Sequence, residues 1–194
     1  MDSISIFGRS DAGRPAAEHL IASVFRVRYG ATVSEFPETL VARTDQQGQL
    51  VCAAGLRFAS EGFFSERYLD EPVESAIGRL SGNATPRHRV FEVTSLASRE
   101  VGHTAPFIFD IVHYGQSNGF DWSFFTLTGR LSQMLVRIGF APHWLANADK
   151  RRVPNFKSWG TYYEQKPAVF ALPNPEKTND IRDERQEGNH ALSL

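Results

Sequence analysis

The stretch Ser95-Leu96-Ala97-Ser98-Arg99-Glu100-Val101-Gly102-His103-Thr104-Ala105 joins a strand pattern to a helix pattern. A chain turning from strand into helix presents backbone N–H groups that lack intrahelical partners, at the positive end of the helix dipole. Such a turn suits a pyrophosphate or the phosphate of a phosphopantetheine arm. Arg99, Gly102, His103 and Thr104 are the residues that would hold it. Just upstream, Glu92 stands in the middle of the strand. Burial there raises a carboxyl pKa toward the range of a general base. A salt bridge to Arg57 or Arg89 is the competing role, and in either role a charge on a central strand needs a partner and should point into a cleft.

The elements that must position these residues follow from periodicity. Residues 1–13 read as an irregular lead-in. Arg14 to Gly30 has helical spacing of Ala16, Leu20, Val24 and Val27, with Pro15 in the first turn and Gly30 as the stop. Leu40–Arg43 and Gln49–Phe58 read as a hairpin across Thr44-Asp45-Gln46-Gln47-Gly48. A helix over Tyr68–Leu80, a strand over Arg89–Leu96 and a helix over Thr104–Asn118, with Pro106 in its first turn, come next. Trp122–Leu127 reads as an aromatic strand, Thr128–Ile138 as an amphipathic helix, and Ala141–Leu145 and Ala168–Leu172 as closing strands. This order predicts an α/β fold with a mixed sheet. Neither the dinucleotide glycine fingerprint nor a Walker loop is present.

The 194 residues are enough for one domain with a sizeable core. Lys plus Arg number 21 against 22 Asp plus Glu, a net charge of −1. That balance gives no broad electrostatic footprint for nucleic acid or an anionic membrane. Cys52 stands alone in an apolar run, so no intramolecular disulfide forms and a buried small side chain is expected. The six histidines are scattered without zinc spacing, and no metal site is expected. No apolar run approaches the roughly 20 residues of a membrane span. No signal peptide is read at the N-terminus, and a reducing cytoplasm is the expected compartment.

Three resemblances sharpen these readings. Arg99-x-x-Gly102-x-Thr104 resembles the Arg/Gln-x-x-Gly-x-Gly/Ala loop of the GNAT acyltransferases, and it follows the fourth strand as theirs does. Val24-Phe25-Arg26-Val27-Arg28-Tyr29-Gly30 is similar to the Val-Phe-x-x-Arg-x-Gly segment of acyl-homoserine-lactone synthases, with Arg57 and Glu92 on an arginine and a glutamate of that family. Arg57, Tyr68–Glu74, Glu92–Ser98, Trp122–Thr128 and Trp159–Tyr163, in that order, resemble the thermostable haemolysin family over residues 15–172.

The resemblance implies a GNAT-like mixed central sheet flanked by helices in a single domain over 1–172, while composition makes 173–194 a polar tail, expected to be disordered or extended. It implies an N-acyltransferase that moves an acyl group from a carrier-protein or CoA thioester to a small amine or amino acid derivative, with no tightly bound cofactor. Glu92, Arg57 and Ser95 form the implied catalytic set, and Arg99, Gly102, His103 and Thr104 the phosphopantetheine cradle. Arg28, Phe91, Trp122, Phe124 and Tyr162 are the implied substrate residues, with Phe107 and Phe125 beside them; plain core packing is the competing role of the aromatics. Arg26, Arg28, Arg99, Arg151 and Arg152 would dock an acidic acyl carrier protein. The helix over 128–138 lacks the general-acid tyrosine of many GNAT enzymes, which leaves Tyr162, Tyr163 or water to protonate the departing thiol. A membrane-active, haemolysin-like protein and a GNAT-like domain that binds without turnover stay open as alternatives.

Overall fold

The computed structural model describes residues 3–174. Seven strands form one sheet in the order β1-β2-β3-β4-β5-β7-β6. They are β1 (Ser3–Phe7), β2 (Thr39–Thr44), β3 (Leu50–Arg57), β4 (Val90–Ser98), β5 (Trp122–Leu127), β6 (His143–Asn147) and β7 (Ala168–Pro173). The helices are α1 (Arg14–Tyr29), α2 (Val73–Ser81), α3 (Val101–Ser117) and α4 (Gly129–Arg137). Neighbouring strands are antiparallel except β4 and β5, which are parallel and joined through α3. This is the expected GNAT-like mixed sheet.

Strand alternation decides which helix covers which face. Opposed residues share a face, so the pairs Ala42↔Ala53 and Arg57↔Glu92 place these four side chains together. α1 lays Ala17, Leu20, Ile21 and Phe25 on that face, and α2 lays Val73 and Ile77 beside Val90 and Phe124. The spacing of the α1 set is one helical stripe, and each large side chain it buries contributes roughly 1.5–3 kcal/mol. α3 and α4 cover the opposite face, where Phe107, Ile108, Ile111 and Leu135 meet Val41, Val93 and Phe125. Arg14 is buried at the start of α1 and donates to the Glu38 and Pro37 carbonyls and to Glu18, which fastens the helix to the entry of β2.

Several boundaries differ from the sequence reading. The lead-in contains β1: Ser3-Ile4-Ser5-Ile6-Phe7 alternates, but for too few residues to stand out, and it pairs with β2 at the sheet edge. α2 starts at Val73 because Pro72 closes its N-terminus, and residues Ser65–Tyr68 form a separate 3₁₀ turn. α3 starts at Val101, which places Pro106 inside the helix. Pro106 has no N–H for the Gly102 carbonyl, and a helix tolerates that loss only near its start. α1 ends as expected: Gly30 adopts φ 65° and donates back to the Arg26 carbonyl. At the far end, Pro173 pairs with Trp122 and the Asn174 N–H donates to the Asp121 carbonyl. The tail expected over 173–194 otherwise lies outside the described residues.

Candidate functional site

β4 and β5 pair from Val90/Trp122 to Val93/Phe125 and no further, although β4 continues to Ser98 and β5 to Leu127. The other edge of β4 carries the reason. Its partners on β3 are Ala53↔Ala97 and Gly55↔Thr94, so Ala54 faces both Ser95 and Leu96. Such a bulge bends the strand and leaves its extra residue out of the ladder. Ser95 takes φ 51°, a left-handed backbone that costs a serine on the order of 1 kcal/mol. Strain of this kind persists where the surrounding structure imposes it, often beside a site.

A cavity of about 1210 Å³ opens at this parting. On the α3/α4 face it is apolar, walled by Phe125, Ile108, Ile111, Leu131, Met134 and Leu135. Arg130 and Arg137 of α4 stand at the exposed rim of this lobe. On the α1/α2 face the lobe is polar and lined by Arg28, Arg57, Glu61, Ser65, Arg67 and Tyr162. Among the described residues no carboxylate pairs with Arg57, so its guanidinium is available to an anion in the cavity. Arg67 stacks over the Phe64 ring at 4.0 Å. Tyr162 packs within Phe25, Tyr29 and Trp159, and its hydroxyl reaches the Thr126 carbonyl at 3.5 Å.

The wall of the polar lobe is fastened by backbone. The Thr161 N–H donates to the Tyr29 carbonyl at 2.8 Å and the Thr32 N–H to the Ser158 carbonyl at 2.7 Å. Gly160, at φ 53°, permits this approach, since a Cβ there would stand 2.0 Å from the Tyr29 oxygen.

Glu92 is fully buried and stands behind this wall rather than on it. Its carboxylate accepts the Phe64 N–H at 2.6 Å and the Ser65 N–H at 2.8 Å. Burial pushes its pKa up to about 7, against the downward pull of these hydrogen bonds and of Arg57. Its partners are therefore neither Arg57 nor Arg89, which pairs with Asp121. The expectation that Glu92 points into the cleft is corrected: two backbone donors satisfy it inside the protein.

Of the residues singled out in the sequence, the cavity brings together Arg57, Ser95, Arg28, Tyr162 and Thr104. Phe91, Trp122 and Phe124 are off its wall. Phe124 lies on the α2 face against Phe63, and Phe91 packs on Phe120 and beneath Gly115. Trp122 stands at the far end of β5 beside His143. Phe125, the neighbour of opposite orientation, lines the cavity instead of Phe124. Phe107 is likewise core, and Ile108 and Ile111 take its expected place.

The expected phosphate cradle also changes shape. Gly102, His103 and Thr104 fall inside the first turn of α3, with Glu100 as its N-cap residue. Ser98, Glu100, Val101 and Thr104 line the cavity, whereas Arg99, Gly102 and His103 do not. The Arg99 N–H is tied to the Val51 carbonyl at 3.0 Å, and the His103 ring stands 3.8 Å from Glu100. Within the expected carrier patch, Arg151 pairs with Asp149 and Arg152 with Asp70, which leaves Arg26 and Arg28 exposed at the end of α1 and Arg99 exposed ahead of α3. Sequence reasoning missed Ser65, Thr126, Arg130, Arg137 and Met134. Thr126 sits within the aromatic strand already singled out, but Ser65 lies in a turn with no periodic signal.

Cys52 is buried as expected, its thiol beside the Ser98 hydroxyl at 3.3 Å, and burial raises its pKa. No His, Cys, Asp or Glu group among the described residues is arranged to hold a metal ion. No helix among them is long and apolar enough to cross a membrane.

The fold has counterparts among solved structures. FeeM, an N-acyl amino acid synthase from uncultured soil microbes, is similar with TM-score 0.62 and 15% identity, over 91% of this chain and 92% of that one. The AHL synthase LasI gives TM-score 0.61 and 13% identity, over 89% and 90%. MesI, a CoA-dependent acyl-homoserine lactone synthase, gives 0.52 and 15%, over 94% of each. No curated protein sequence matches. The profile of the Thermostable hemolysin family matches residues 7–176, and the chain belongs to that family.

Proposed function

We propose that the protein is an N-acyltransferase that moves an acyl group from a carrier-protein or CoA thioester to a small amine bearing a carboxylate, of the amino acid type. The observation that carries this reading is the parting of β4 from β5 at Val93/Phe125, with the bulged Ser95 beside it and a lobe of opposite polarity on either side. An acyl chain suits the apolar lobe under Ile108, Ile111 and Met134. The pantetheine arm enters between the start of α3 and the rim arginines Arg130 and Arg137. The acceptor enters the polar lobe, where Arg57 meets its carboxylate.

The amine attacks the thioester carbonyl at the parting. Backbone N–H groups at the Ser95 bulge stabilise the oxyanion, and Glu92 is the base that takes the amine proton. The departing thiolate needs a proton in return. Burial raises the Tyr162 phenol well above its ordinary 10, so it is a weak acid, and water supplies this proton. Tyr163 is engaged elsewhere, its hydroxyl 2.6 Å from that of Tyr68.

The test is thiol release by the purified protein from a panel of acyl-carrier and acyl-CoA thioesters with free amino acids and their decarboxylated amines, products being identified by mass spectrometry. Turnover with an amino acid and a loss of roughly tenfold or more in Arg57→Gln, confined to carboxylate-bearing acceptors, is expected. An equal loss with both acceptor classes would place Arg57 on the pantetheine phosphate instead. No thiol release from any pair rejects the reading.

A further inference from the structure

Glu92 stands behind the cavity wall, but two hydroxyl groups connect it to the parting. We propose that Thr126 and Ser65 relay a proton from the acceptor amine to Glu92, with Thr126 as the group that meets the amine. The relay rests on the acyl-transfer reading and supplies its missing route to the base.

The groups are contiguous. The Ser65 N–H donates to the Glu92 carboxylate at 2.8 Å, which holds the Ser65 hydroxyl beside it, near enough to draw the Glu92 pKa down. That hydroxyl lies 2.7 Å from Thr126 Oγ1. Ser65 is 2% exposed, and both residues line the cavity. Thr126 is the first residue of β5 beyond the last β4–β5 pair, so it stands where the strands separate and the reacting carbonyl must lie.

Hydrogen-bond direction follows from the carboxylate, which only accepts. In the relay the Ser65 O–H turns to donate to Glu92 and the Thr126 O–H donates to Ser65 Oγ. Thr126 Oγ1 is left with a lone pair, which accepts an N–H from an amine at the parting. As the nitrogen attacks, its proton passes to Thr126 Oγ1, the Thr126 proton to Ser65 Oγ and the Ser65 proton to Glu92. One N–H bond breaks, one Glu92 O–H bond forms, and both hydroxyls are regenerated. The nitrogen keeps its electron pair for the new C–N bond, and no further reactant is needed.

The groups around Glu92 keep the relay in one direction. Arg57 faces it from β3 with its guanidinium. The phenols of Tyr68, Tyr162 and Tyr163, from the loops that cover this face, are all raised by burial and stay neutral. Glu92 itself changes charge near neutral pH, where a base that cycles its proton is most effective.

The experiment is the pH dependence of kcat/KM for the full chain and for Thr126→Val, Thr126→Ser and Ser65→Ala, with melting temperatures beside it. Thr126→Val keeps shape and loses the hydroxyl; Thr126→Ser keeps the hydroxyl. The relay requires a fall of about 10- to 100-fold in Thr126→Val and Ser65→Ala. It also requires their acid limb to leave the region of pH 7 and move toward the pKa of the acceptor amine. Thr126→Ser must restore both. An unmoved limb in Thr126→Val and Ser65→Ala, with only a lowered melting temperature, would make the two hydroxyls a structural fastening and overturn the relay alone. A wild-type protein with no turnover overturns the acyl-transfer reading and the relay together.

Discussion

The two lobes of the cavity are built differently. The apolar lobe is made from the interiors of regular elements, with Phe125 on β5, Ile108 and Ile111 on α3, and Leu131, Met134 and Leu135 on α4. Their directions are set by periods of 2 and 3.6, and each such residue doubles as core. The polar lobe is made from turns: the segment 57–68, the end of α1 and the 3₁₀ turns Phe156–Trp159 and Tyr162–Gln165. Its residues are aimed by single backbone contacts such as Thr161 to Tyr29 and Glu92 to the Phe64 and Ser65 amides. The first lobe is shaped by burial and tolerates substitution of similar volume. The second depends on individual hydrogen bonds and fails when one is removed.

The largest expected effect breaks the polar lobe. Gly160→Ala would drive a Cβ to 2.0 Å from the Tyr29 oxygen at φ 53°. A loss of about 3 kcal/mol or more in urea unfolding is expected. An unchanged midpoint would show that the 153–162 wall does not depend on this contact.

The next effect concerns Glu92. Its ordinary value of 4.5 rises to about 7 in the folded chain. Below pH 4.5 folded and unfolded chains both hold the proton, and between pH 4.5 and 7 only the folded chain does. Stability contributed by this group is therefore full below that window and is lost as pH rises through 7. Urea unfolding of the wild type should weaken by roughly 2–3 kcal/mol from pH 4.5 to pH 8 on account of Glu92, and Glu92→Gln should remove that slope. A slope unaltered in the variant would contradict the burial argument.

The smallest effect sharpens the comparison from the other side. Met134→Trp fills part of the apolar lobe and should leave acceptor dependence unchanged. It should shorten the preferred acyl chain, with about fourfold lost per methylene that no longer fits, from roughly 0.8 kcal/mol each. The readout is kcat/KM across a ladder of thioester chain lengths, and equal losses at all lengths would place the chain elsewhere.

The same contrast explains what the sequence discloses. α1 with its Gly30 stop, the β2–β3 hairpin, β5 and the α4 stripe all carry clear periods, and their boundaries lie within a few residues of expectation. The sheet class follows from their order. β5 shows where such reasoning stops: alternation divides Phe124 from Phe125, but only the three-dimensional packing tells which face meets α3 and which meets α2. Glu92 is legible as a buried carboxylate of raised pKa, but its partners are amides of the 64–65 turn, and any residue type supplies an amide. Pro106 looks like a first-turn residue and hides the first three residues of α3, because Gly102 four positions earlier reads as part of a loop. Ser65 carries no local pattern, and its meaning arises only when the turn folds onto β5.

The central claim is that an acyl chain lies under α3 and α4 while its carbonyl sits where β4 leaves β5. An acyl thioester with a diazirine at the end of its chain tests this directly, by photolabelling and peptide mass spectrometry. Label saturable by unmodified thioester on Ile108, Ile111, Met134 or their immediate neighbours is the predicted result. Label on the 57–68 segment, or label that excess thioester fails to displace, would contradict it.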